Sequence, residues 1–370
     1  MELFLLILFY FFVAVVVIQL CYYLFIFGKF SFTKSQESKE KHLPVSVLVC
    51  AKNEENNLKK LIPMLAKQKY SNYEIVIIDD ASSDNTRFLV EDFQKEIPNL
   101  KLVLVENNEA FWGNKKFALT LGIKAASKEY LLLTDADCFP NSDQWIAEMS
   151  SHFTMHKTIV LGYGAYEKEY GFLNKLIRFE TLLTATQYFA WAKLGLPYMG
   201  VGRNIAYKRE EFFNNNGFIN HMKIRSGDDD LFINEAANRS NTTICFSPES
   251  FTYSVPKQTF GEWFMQKRRH VSTAKYYKRF DRSQLALFYL SQLFFLLLPI
   301  VLLSLQYQWI IVLSLILLRY IAAWTSMRFS ADKLHEKDVI YWYPILEIIL
   351  IFTQLSVFFR NLISKPVTWK

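Results

Sequence analysis

Tyr130-Leu131-Leu132-Leu133-Thr134-Asp135-Ala136-Asp137-Cys138 is a short apolar run that ends in two carboxylates one residue apart. The run reads as a buried strand. Towards the N-terminus the pattern returns in Val45 to Ala51, Tyr73 to Ile78 and Leu102 to Val105, each of strand length. Between these runs, Glu55 to Gln68 and Thr86 to Glu96 have helical periodicity, and Asp84-Asn85-Thr86 is a capping sequence for the second. Strands alternating with helices predict an α/β domain with a parallel sheet flanked by helices. Ligands of such sheets collect at the carboxyl ends of the strands. The polar clusters fall there: Asn53-Glu54 after the first strand, Asp79-Asp80 after the second, and Asp135 with Asp137 after the fourth. No G-x-G-x-x-G follows the first strand, which argues against a dinucleotide fingerprint.

These clusters have the chemistry to hold a nucleotide. Asp79 or Asp80 can accept from a base N–H or a ribose hydroxyl, and Lys115 can reach a base carbonyl or a phosphate. Asp135 and Asp137 repel a diphosphate unless Mg2+ or Mn2+ bridges the anions. A plain polar turn at Asp79-Asp80 and a solvated helix-start lysine at Lys115 are the alternatives. The acidic run Asp228-Asp229-Asp230 can supply a general base, because crowded carboxylates raise one another's pKa. A helix N-terminus, where acids suit the dipole, explains the same run. Gln266, Arg269 and His270 share a face if Phe260 to Tyr277 is helical, and could set a cation beside a phosphate. Alternatively, Lys267, Arg268, Arg269, Lys275, Lys278, Arg279 and Arg282 make this a basic interfacial helix. His152 and His156 have zinc-like spacing but no third ligand, so a surface helix is expected. Tyr188, Phe189 and Trp191 are expected to pack.

In a chain of 370 residues, an apolar fraction of 51% is too high for a purely soluble domain. The excess lies at the two ends. Leu3 to Phe27 is long enough to cross a bilayer, and its flanks, Glu2 and Lys29, suit a retained anchor rather than a cleaved signal. Leu285 to Leu303 and Trp309 to Trp324 suggest a helical hairpin. Tyr341 to Phe359 contains Pro344, Glu347 and Gln354, so it could span, lie in the interface or re-enter. Glu347 would be costly and functional at depth, or would face water from an interfacial helix. Lys29, Lys34 and the basic middle of the chain place residues 29–283 in the cytoplasm. Four complete spans would then put Arg360, Lys365 and Lys370 on the wrong side. Cys21, Cys50, Cys138 and Cys245 form no C-x-x-C pair, as expected in a reducing compartment. A net charge of +7 suits anionic lipid or a phosphorylated substrate, and no nucleic-acid partner is expected.

Taken in order, VCAKNE, IDDASSDNT, GNKKFAL, TDADC, GRNIAYKREEF, SGDDDLF and QKRRH resemble the membrane-bound family 2 glycosyltransferases of GT-A fold, in the branch of cellulose synthase, hyaluronan synthase and ceramide glucosyltransferase. The likeness covers roughly residues 44 to 275, and the apolar ends fit the branch. It implies a Rossmann-like nucleotide-diphospho-sugar transferase domain. Asp80, beside Asp79, then corresponds to a nucleoside contact and Lys115 to a base contact. Asp135 and Asp137 correspond to the DxD metal and diphosphate site, and Gly202, Arg203 and Asn204 to a stretch near the acceptor. Asp229 corresponds to the general base, with Asp228 and Asp230 one register away. Gln266, Arg269 and His270 correspond to the QxxRW diphosphate and acceptor motif. His270 stands where the family has tryptophan, which removes a stacking surface and speaks against processive synthesis.

The expected organisation is an anchor at 1–28, a linker at 29–44, the catalytic domain at 45–255, a basic interfacial segment at 256–283 and a membrane region at 284–370. The expected reaction is inverting transfer of a sugar from a UDP-sugar to a lipid or lipid-linked glycan at the cytoplasmic face of an inner or plasma membrane. A processive polysaccharide synthase and a non-catalytic membrane scaffold are the competing readings.

Overall fold

The computed structural model describes residues 1–34, 41–106, 115–224 and 226–364. Helix α1 (Glu2–Leu20) continues through a π-helical stretch, Cys21–Ile26, into α2 (Gly28–Ser31). Then come β1 (Val45–Ala51), α3 (Glu55–Ala66), β2 (Tyr73–Asp79), α4 (Thr86–Gln94), β3 (Leu100–Leu104), α5 (Lys115–Ala125) and β4 (Tyr130–Asp135). The middle of the chain adds β5 (Cys138–Pro140), α6 (Trp145–Ser151), β6 (Ile159–Leu161), β7 (Gly164–Tyr166), α7 (Phe172–Lys193), β8 (Ile205–Lys208), α8 (Arg209–Asn214) and α9 (Asp230–Ala236). It closes with β9 (Thr242–Ile244), β10 (Thr252–Ser254), α10 (Phe260–Val271), α11 (Arg279–Ser304), α12 (Trp309–Lys333), α13 (Lys337–Ile340) and α14 (Tyr343–Ile363).

The main sheet has the order β3-β2-β1-β4-β8-β6-β9, and a small sheet has the order β5-β10-β7. The strands β3, β2, β1 and β4 run parallel, as alternation predicts, while β8 runs antiparallel to both β4 and β6. The register sets Ala51 opposite Asp79 and Cys50 opposite Asp135, so both acids reach one edge of the sheet. Buried on both faces, β1, β2 and β4 are built mainly of Val, Ile and Leu, and the polar Ser46 and Glu74 within β1 and β2 bond each other. On one face, Leu58, Leu61, Ile62 and Trp145 pack beneath the sheet. Gly122 lets α5 approach the other face closely, since a Cβ there would fall 2.2 Å from Ile78 Cδ1.

That second face shares its core with the apolar helices. Leu48, Ile78 and Leu131 belong to one cluster with Phe27, Phe30, Met327, Ala331 and Leu346. The expected linker at 29–44 therefore starts later than the sequence indicates: Phe30 and Ser31 are fully buried, and Phe30 lies 5.0 Å from the Phe189 ring. A separate cluster joins Phe12, Val15 and Val16 of α1 with Phe295, Leu298 and Leu302 of α11 and Val312 of α12.

Among the described residues, four helices are long and apolar enough to cross a membrane: Glu2–Ser31, Arg279–Ser304, Trp309–Lys333 and Tyr343–Ile363. The hairpin of α11 and α12 is present. Pro344 sits in the first turn of α14, where its missing N–H costs nothing. The alternative of Glu347 facing water is overturned. Its carboxylate is 2% exposed and binds Arg319, which is fully buried, at 2.5 and 2.7 Å. Gln19, Tyr23, Gln292 and Tyr343 complete this polar knot between α1, α11, α12 and α14. A surface helix carrying both His152 and His156 is likewise absent, because α6 ends at Ser151. Tyr188, Phe189 and Trp191 pack as expected, with the Tyr188 hydroxyl donating to the Gly162 carbonyl at 2.8 Å.

Candidate active site

One cleft is lined by Lys115, Asp135, Gly202, Tyr207, Asp228 and Asp229 over a floor that includes Leu48, Leu133 and Phe232. Each polar group arrives on a different element. Asp135 ends β4, Lys115 opens α5, and Asp229 caps α9. Lys115 Nζ lies 2.6 Å from Asp135 Oδ1 and 2.8 Å from Asp228 Oδ2, so it bridges the two acids. Burial would raise Asp228, but the Lys115 ammonium holds its carboxyl below the usual range.

The three consecutive acids have three separate tasks. Asp229 Oδ2 accepts from the Gly202 amide at 2.6 Å, and its Oδ1 from the Asp230 amide at 2.8 Å. Burial first, then the charges of Asp228 and Asp230, push Asp229 up to about 7. Asp230 turns into the protein, where Thr273 Oγ1 and the Tyr277 hydroxyl donate to its Oδ2 at 2.5 and 2.6 Å. The run is thus both a helix N-terminus and part of the cleft. Gly227, at φ +88°, turns the chain into it.

At the edge of β2, Asp79 Oδ1 accepts from the Ser82 amide at 3.0 Å, and Lys52 lies 3.8 Å from Asp80. Burial and then the Asp79 charge raise Asp80 against the effect of Lys52. Asn53 Oδ1 accepts from the Ser83 amide at 2.7 Å, and Asn57 donates to Glu54 at 2.6 Å. These contacts bind the loops after β1 and β2 to one another.

Asp135 and Asp137 carboxylate oxygens lie within 4.8 Å of each other and of Cys138 Sγ. Burial, then Asp137 and Asp135, drive the Cys138 thiol well above its usual range, so it stays protonated. The donors left are two hard carboxylates, which fit Mg2+ or Mn2+ better than a thiolate-seeking ion.

The stretch after Gly202 is fixed internally. Arg203 stacks 4.4 Å over the Tyr166 ring and donates to the Ala165 carbonyl, while Asn204 is buried and bonded to Tyr163, Ser250 and Trp145. Gln266 Nε2 lies 3.4 Å from the Tyr166 hydroxyl, which sets α10 beside Arg203. His270 is exposed and within electrostatic reach of Arg203 and Lys115, one residue after Arg269. The expected helix through Tyr277 ends at Val271. Two cations of the basic face are already engaged, Lys267 with Glu180 and buried Arg268 with Asn361 and Ser364.

Sequence reasoning singled out Lys115 and passed over Lys116. It is 1% exposed, and its Nζ donates to the carbonyls of His221, Ile224 and Ser226 at 2.9, 2.9 and 2.8 Å. It thereby holds the loop that presents Asp228 and Asp229. The doubled lysine of GNKKFAL was the available signal.

Residues 46–228 match the family described as Glycosyl transferase family 2. UDP-Glc:alpha-D-GlcNAc-diphosphoundecaprenol beta-1,3-glucosyltransferase WfgD of Escherichia coli is 34% identical over 126 residues, 33% of this chain and 46% of that protein. Poly-beta-1,6-N-acetyl-D-glucosamine synthase of Staphylococcus epidermidis is 37% identical over 125 residues, 33% of this chain and 29% of that one. The chain thus spans less than half the length of these curated relatives. A solved mannosyltransferase of Pyrobaculum calidifontis, in complex with GDP-Man and Mn2+, superposes with a TM-score of 0.54 at 18% identity, over 92% of this chain and 98% of that one, a likeness of fold. With this sheet, this cleft and the matched residues 46–228, the chain carries a family 2 glycosyltransferase domain of GT-A fold, flanked by helices of membrane-crossing length and composition.

Proposed function

We propose that this chain is an inverting glycosyltransferase that moves a sugar from a UDP-sugar to a hydroxyl of a lipid or lipid-linked glycan at the cytoplasmic face of a membrane. The reading rests on the meeting of Lys115, Asp135, Asp228 and Asp229 in one cleft. The activity named for the Escherichia coli relative supports a UDP-sugar donor and a lipid diphosphate-linked acceptor. In this scheme Asn53, Glu54, Asp79 and Asp80 surround the nucleoside, and Gln266, Arg269 and His270 stand at the diphosphate and acceptor side. Asp135 and Asp137 would hold Mg2+ or Mn2+, which would supply positive charge for a diphosphate leaving group. Asp229, with its raised pKa, takes the proton of the acceptor hydroxyl. The freed oxygen attacks the anomeric carbon from the face opposite the diphosphate. The bond from carbon to diphosphate oxygen breaks, and its electron pair leaves with UDP.

The test is a panel of nucleotide sugars offered to membranes containing the full chain, with Mn2+ or Mg2+ supplied and then chelated. One donor is expected to release its nucleoside diphosphate, with loss of turnover on chelation. Asp229→Asn is expected to lose about 100-fold or more in rate while staying in the membrane, the range of a lost general base. Unchanged turnover in Asp229→Asn sinks the assignment of the base, and a ladder of products on a defined acceptor favours processive synthesis.

A further inference from the structure

Helix α14 is long and apolar enough to cross a membrane, and Glu347 ties its first turns to Arg319 of α12 and Gln292 of α11, yet both of its ends are held by elements of the catalytic domain. Its start packs on α7, with the Tyr343 ring 5.5 Å from Phe179 and the Trp342 ring 6.4 Å from Phe172. Its other end is fastened to α10. Buried Arg268 donates to Asn361 Oδ1 at 2.9 Å and to the Ser364 carbonyl at 2.7 Å, and Asn361 Nδ2 donates back to the Arg268 carbonyl at 3.0 Å. Both α7 and α10 belong to the body that carries the sheet, since Phe179 and Trp263 lie in its core.

A helix of 21 residues is about 30 Å long, so a crossing would leave its ends on opposite sides of the hydrocarbon. Here both ends touch one domain. Consistently, Tyr343, Leu346 and Leu350 join the domain core, whereas the remote cluster of the bundle draws its buried residues from α1, α11 and α12. The face of α14 turned away from the protein exposes Ile345, Phe352, Phe359, Leu362 and Ile363. Such a face, on a helix pinned flat against a domain that three crossing-type helices tie to a bilayer, suits the acyl boundary of one leaflet.

We propose that α14 does not cross. It lies in the leaflet nearest the catalytic domain, with its outer apolar face among lipid chains, and residue 364 stays on the catalytic side. Three crossings then remain, and Arg360 falls on the same side as Lys29, as the distribution of basic residues asks.

The experiment uses the full-length chain in sealed vesicles of both orientations, with one short epitope after Lys370 and another in the 305–308 connection, probed by protease. The C-terminal epitope is expected to share the side of the catalytic domain and to oppose the 305–308 epitope. Both epitopes on one side would overturn the proposal. Should the inserted epitope disturb folding, Gln306→Cys read by a membrane-impermeant maleimide, against the unsubstituted chain, reports the same side. No turnover is needed, so the result is independent of the proposed reaction.

Discussion

At the scale of single residues, the cleft is tuned by charge crowding. Asp229 stands between Asp228 and Asp230, and Lys115 answers Asp228 and Asp135 rather than Asp229. If Asp229 is the base, it works ionised, and its folded pKa of about 7 sets the profile. The rate should rise with pH through about 7 and level off above it, falling about tenfold per unit below, as expected for one essential ionised group. A pH series of single-turnover rates checks this. Lys116 acts at one remove. Lys116→Met leaves three loop carbonyls without their cation and should lower kcat roughly tenfold to a hundredfold with little change in donor KM, the scale of a misplaced catalytic group. Lys116→Arg should recover part of the loss. Asp135 and Asp137 were legible because carboxylates after a strand are a local pattern, and the acidic run because three consecutive acids stand out by themselves. Lys116 was not legible, since its partners are backbone carbonyls more than 100 positions away.

At the scale of elements, β1, β2 and β4 were readable almost to the residue, because strands buried on both faces are rich in Val, Ile and Leu. The strands β5 to β10 escaped notice. Most hold three residues, too few to show alternation, and their pairing is set by distant partners. Glu347 stood out in its apolar run, and Arg319 gave the same signal as a lone charge inside another. Their partnership is a tertiary fact. Arg319→Met should destabilise the helical bundle by about 3–5 kcal/mol, because Glu347 is left buried and unpaired. Arg319→Met combined with Glu347→Leu should recover most of that loss. Thermal unfolding of the detergent-solubilised chain separates the single from the double substitution.

At the scale of the whole molecule, sequence periodicity divides the chain into anchor, domain and membrane region, yet one apolar core runs through all three. Periodicity is local and says nothing about which faces meet. Residues 41–255 made without the flanking helices should therefore aggregate, since the apolar faces of α7 that meet α2, α12 and α14 would be bare. Size-exclusion chromatography of that fragment beside the full chain in detergent tests the expectation. A second fastening lies at Arg178, which is 2% exposed and bonds Glu336, between α12 and α13, and Asp338 in α13. With Phe30 wedged against Phe189 and Phe246 as well, the described residues fasten the domain to the apolar helices at several separate points. The cleft consequently sits at one fixed elevation, like a tool clamped in a jig. On the proposed reaction, head groups whose hydroxyl hangs at that height should be reached, and taller or shorter ones missed however well they would bind.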